Sequence, residues 1–73
     1  MNKDINLLSL YNYLSLASRT FKMQRYLTYC NINQSNFSKY IKTADVQYVS
    51  VDKLILLYTV LRIDSSRLAR EWI

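Results

Sequence analysis

The residues of this chain that are equipped for chemistry are mainly cations and short polar groups, and they are unevenly placed. Arg19, Lys22, Arg25, Lys39 and Lys42 all fall between Ile5 and Ala44, a stretch without a single acid. Elsewhere five basic residues (Lys3, Lys53, Arg62, Arg67, Arg70) and five acids (Asp4, Asp45, Asp52, Asp64, Glu71) cancel, so the net charge of +5 resides in one segment. Positive charge concentrated in this way suits a polyanion, or one acidic surface. Gln24, Asn33, Gln34, Ser35 and Ser38 stand among these cations, and their amides and hydroxyls offer both donors and acceptors.

The same inventory argues against catalysis. There is no His to act as a base near neutral pH, no glycine-rich phosphate loop, and the acids are scattered over separate predicted elements. We therefore expect no enzyme, no catalytic residues, no small-molecule substrate and no cofactor. The lone Cys30 cannot form an internal disulfide, and without a His or Cys cluster no metal site is expected. A small buried thiol and a reducing, cytoplasmic setting fit that usage. The opening MNKDINLLSL lacks a long apolar run, so neither a signal peptide nor a membrane span is predicted.

These candidate residues must be positioned by helices. At 73 residues, 51% of them apolar, the chain has the composition of one globular domain spanning 1–73. Gly and Pro are both absent, which removes the usual residues of tight hairpins, and Asn must serve wherever a left-handed backbone is needed. An all-α fold follows. Ile5, Leu7, Leu8, Leu10, Tyr11, Leu14 and Ala17 predict a first helix from Asp4 to about Ser18, capped by Asn2 or Asp4. Thr20 is the expected cap of a second, in which Met23, Tyr26, Leu27 and Cys30 recur at helical spacing as far as Asn31. After the turn Asn31-Ile32-Asn33, Phe37, Tyr40 and Ile41 make the inward face of a third helix. Ser35, Ser38, Lys39 and Lys42 make its outward face.

Residues Thr43 to Val49 read as a loop. Ser50 then caps a fourth helix, Val51 to Leu61, apolar nearly all round and hence the expected central strut. A fifth, capped by Asp64 or Ser65, places Leu68, Ala69 and Trp72 on one side, as core or as a dimer seam. Tyr26, Tyr40 and Tyr58 are expected at core edges with their hydroxyls in water.

The segment Met23 to Lys42, MQRYLTYCNINQSNFSKYIK, resembles the helix-turn-helix of the Cro and phage-repressor (lambda-repressor-like) family. Asn31 stands where the family has its turn glycine, followed by Ile32, Asn33 and Gln34, while Phe37 and Tyr40 match its two apolar anchors in the recognition helix. Leu27 occupies a position where the family prefers alanine. The segment SVDKLILLYTVLRI is similar to the family's fourth helix, so the likeness runs from about Arg19 to Leu68, with the motif itself at about 22–42. It implies a compact five-helix DNA-binding domain.

The physics of reading DNA bears on the same residues independently. A helix in the major groove must present short polar side chains near its N-terminus, and Gln or Asn can bond adenine N6 and N7 together. Asn33, Gln34, Ser35 and Ser38 are placed for base edges, and Lys39 for guanine or a phosphate. Lys42, Arg25 and Gln24 fall where the backbone would pass. The expected function is a sequence-specific transcriptional regulator of a phage or mobile-element switch, binding operator DNA, with a homodimer reading a rough palindrome. The alternative is an antirepressor, a modulator of repression that uses the same fold to bind a repressor protein, since a basic face also docks on acidic protein surface.

Overall fold

The computed structural model describes the backbone of residues 6–71 and the side chains of residues 6–65. Helix α1 (Leu7–Thr20) starts at Asn6, whose Oδ1 accepts from the N–H groups of Leu8 at 2.9 Å and Ser9 at 3.2 Å. That is two of the four amides a helix start leaves unpaired. Asn6 thus takes the capping role expected of Asn2 or Asp4, which lie outside the described residues. Leu10, Leu14 and Ala17, spaced i, i+4, i+7, form its buried stripe.

Thr20 does not cap the second helix. Its hydroxyl donates to the Leu16 carbonyl within α1, because nothing between Ser18 and Thr20 interrupts the ladder. Helix α2 (Met23–Tyr29) begins after Lys22 with no side-chain cap, and ends earlier than the expected Asn31. Its exit is a Schellman turn. Asn31 takes φ 59°, its N–H donates to the Thr28 carbonyl at 3.1 Å, and the Ile32 N–H reaches back to Leu27 at 2.8 Å. Leu27 and Ile32, the two apolar positions that flank such a turn, are both buried.

Helix α3 (Gln34–Thr43) buries Phe37 and Tyr40 and half-buries Ile41, the three residues assigned to its inner face. It stops at Ala44, another left-handed residue, φ 58°. Asp45 then organises the loop: its carboxylate accepts from the backbone N–H of Gln47 and from the Gln47 amide, both at 3.0 Å.

Helix α4 (Val51–Glu71) follows Ser50, whose hydroxyl accepts from the Lys53 N–H at 3.4 Å. It packs against α1 and α2, while α3 rests on α1. Among its described side chains Leu54, Leu57 and Leu61 are fully buried, and with the inward faces of the other helices they make one core. Two expectations are corrected here. The fourth and fifth helices are a single helix, giving four among the described residues rather than five. No Gly or Pro breaks the ladder between Leu61 and Ser65, and Asp64, expected as a cap, instead accepts from the Tyr26 hydroxyl. Nor is α4 buried on all sides as a central strut would be, since Asp52, Lys53, Leu56, Thr59, Arg62 and Ile63 are exposed. The side chains of Leu68, Ala69 and Trp72 lie outside the described residues.

Candidate nucleic-acid interface

Helix α3 is the element that could enter a groove. Phe37 and Tyr40 fix its rotation by burial, and 100° per residue then turns Ser35, Ser38, Lys39 and Lys42 outward. All four are exposed, as are Gln34 and Asn36. A hydrogen bond from the Tyr11 hydroxyl to the Ile41 carbonyl, and the edge-on stacking of Tyr11 on Tyr40 at 5.6 Å, tie α3 to α1. The polar face is therefore carried by a clamped helix.

Across that face the residues divide. Gln34, Ser38 and Lys42, at i, i+4, i+8, border a groove with Ser18, Met23 and Leu27 of the two preceding helices. On the other flank Asn33 and Asn36 share a polar groove with Tyr48, Ser50 and Lys53. Lys39 lies nearer that second side, its ammonium 5.8 Å from the centre of the Tyr48 ring.

Asn33 has a defined structural duty: its Oδ1 accepts from the Asn36 N–H at 3.1 Å and caps α3. Its amide NH₂ and the second lone pair of Oδ1 are left for an outside partner. The α3 N-terminus carries no acid in its first turn, so its positive end is not neutralised locally.

Arg25 is not brought together with the α3 residues. It lies on the opposite flank of α2, in a cleft against α4 with Tyr26, Tyr29, Val60, Ile63 and Asp64, its guanidinium 5.8 Å from the Tyr26 ring. Gln24 is exposed beside it in sequence. Lys53, not among the predicted contacts, donates from Nζ to the Asn31 carbonyl at 2.9 Å and braces the turn. No periodicity in the sequence could have signalled a contact 22 residues apart.

The hydroxyl of Tyr26 is on Asp64 rather than in water, and Tyr40 is buried rather than at a core edge. The bond to Asp64 holds the Tyr26 phenol above its ordinary pKa, with burial adding to it; burial does the same to Tyr40 and to Cys30, leaving Cys30 a buried, protonated thiol. Among the described residues no group of His, Cys, Asp and Glu could hold a metal ion, and no helix is long and apolar enough to cross a membrane. In comparisons with known proteins, no family model, no curated protein and no solved structure matches this chain.

Proposed function

We propose that this chain is a sequence-specific DNA-binding transcriptional regulator of the Cro and repressor type, with α3 as its recognition helix. The observation that carries the reading is α3 itself: two buried aromatic residues hold it, and Gln34, Ser35, Ser38, Lys39 and Lys42 project from the surface with no acid among them. A helix of this width fits the major groove, with Gln34 and Ser35 at base edges and Lys39 and Lys42 toward bases or phosphates. Gln24 stands at the start of α2, where the DNA backbone passes.

The test is selection of duplexes from a random pool, followed by retention measured over a range of salt. Affinity should fall steeply with salt. Lys39→Ala, if it removes a phosphate contact, reduces the slope of log K against log salt by about 0.9. Gln34→Ala relaxes the preference at one base pair by roughly 1–3 kcal/mol. Retention and selectivity unchanged in both variants would overturn the proposal.

One observation favours a second reading. Arg25 turns toward α4, so the DNA-facing surface has fewer cations than the sequence promises. A thinner positive face suits an antirepressor that docks on an acidic repressor surface. A stoichiometric complex with a repressor of the same genome, from a protein that retains no duplex, decides for it.

A further inference from the structure

The groove beside Gln34 and Lys42 is polar only at its rim. Its apolar lining is Met23, Leu27, Phe37 and Ile41. Leu27 and Phe37, 2% and 4% exposed, close it against the interior. Met23, at the start of α2, and Ile41, in α3, pack on the core with only part of their surface, and both stay half-exposed where they line the groove. Folding thus leaves a strip of apolar side chain wet, next to the first residue of the helix that carries the polar face.

The charge around this strip narrows what can cover it. Every lining residue lies between Ser18 and Lys42, inside the acid-free segment, so the one charge at the groove is the Lys42 ammonium. An apolar protein segment seated there would leave that ammonium and the Gln34 amide without partners. A polyanion that carries a small apolar projection satisfies all three. In the major groove of duplex DNA the base edges offer one such projection, the C5-methyl group of thymine.

We propose that this groove receives a thymine methyl group, with Met23 and Ile41 as specificity-determining residues beside Gln34. The inference rests on the DNA-binding reading and names what that face selects, an A·T-containing site. The Gln34 amide offers its donor and acceptor to adenine N7 and N6, which favours adenine over guanine. The strip of Met23 and Ile41 removes a methyl group from water, which favours thymine over cytosine. Methionine suits the second task, because its unbranched, polarizable side chain adapts to an irregular gap.

The experiment uses the whole chain and duplexes selected from a random pool, with each thymine replaced in turn by deoxyuridine. That replacement deletes the methyl group and keeps every base-pairing hydrogen bond. At one or more positions of the bound site retention should weaken roughly 4-fold, the effect of one buried methyl group. Met23→Gln, of similar length but polar, should retain the thymine and uracil duplexes alike, whereas Met23→Leu should keep the preference. Circular dichroism verifies that each variant is folded. In the complex, an isotope-labelled ε-methyl group of Met23 should show a nuclear Overhauser contact to a thymine methyl, a readout that needs no variant and stands even if Met23→Gln does not fold.

A wild type that retains duplex but ignores the replacement at every thymine overturns the proposal, and so does a folded Met23→Gln that distinguishes thymine from uracil as well as wild type does. Absence of the methyl contact in a saturated complex has the same force. These outcomes sink the methyl groove alone, whereas a wild type that retains no duplex sinks the DNA reading and the groove's occupant with it.

Discussion

Asn31 and Ala44 occupy almost the same left-handed backbone region, at φ 59° and 58°, and they stand on unequal footing there. Asn tolerates that region through its short polar side chain, and Lys53 further holds the Asn31 carbonyl. Ala44 has neither aid. Its methyl crowds the adjacent carbonyl, and the conformation persists because the Ala44 N–H closes α3 on the Tyr40 carbonyl at 2.6 Å. Ala44→Gly should therefore stabilise the fold by roughly 1 kcal/mol, the left-handed cost less glycine's added unfolded freedom. Urea titration measures it. A lowered midpoint would mean that the methyl contributes packing that outweighs its strain. Asn31→Ala should move the midpoint down, since it places the same strain at the turn that aims α3.

At the scale of the element, α4 teaches the most. Leu54, Leu57 and Leu61 are fully buried, and α1 and α2 both pack on this helix. Leu61→Ala should cost about 2–5 kcal/mol, a large share of what a domain of this size possesses, and urea unfolding should register it as a midpoint shift at unchanged slope. A shift under about 1 kcal/mol would mean that the region after Leu61 repacks independently.

The helices themselves were legible because apolar residues recur at helical spacing: Phe37, Tyr40 and Ile41 give the rotation of α3, and Ser50 gives the start of α4. Their ends were not. Asp64 and Ser65 look like a cap in one dimension, but a cap requires a break that no residue before them supplies, and Asp64 has a tertiary partner in Tyr26. Thr20 misleads for the same reason, since a hydroxyl serves equally on its own helix. Of the candidate site, the α3 face was readable from periodicity. The turning of Arg25 toward α4 was not, because which flank of α2 meets α4 is settled by the packing of both.

Across the whole molecule, tyrosines stitch the helices together. Tyr13 stacks edge-on with Tyr58 at 5.0 Å between α1 and α4, Tyr11 with Tyr40 between α1 and α3, and Tyr26 bonds Asp64 between α2 and α4. The phenols of Tyr13, Tyr26 and Tyr40 are all raised above their ordinary value of 10.0, Tyr13 and Tyr40 first by burial, Tyr26 first by its bond to the Asp64 carboxylate. A pKa raised on folding means that the native state holds the proton more tightly than the unfolded chain. The associated stability is fully present below the unfolded pKa and is lost as pH rises through the folded one. Stability should accordingly be insensitive to these groups at neutral pH and decline above pH 10, with the phenolate absorbance of these three, among the chain's seven tyrosines, appearing together with loss of helicity rather than before it. Tyr26→Phe tests the assignment. It removes the phenol that titrates against Asp64, so the alkaline limb should become shallower while Tyr13 and Tyr40 keep part of it. If phenolate forms in full while the helices remain intact, these three side chains do not hold the helices together.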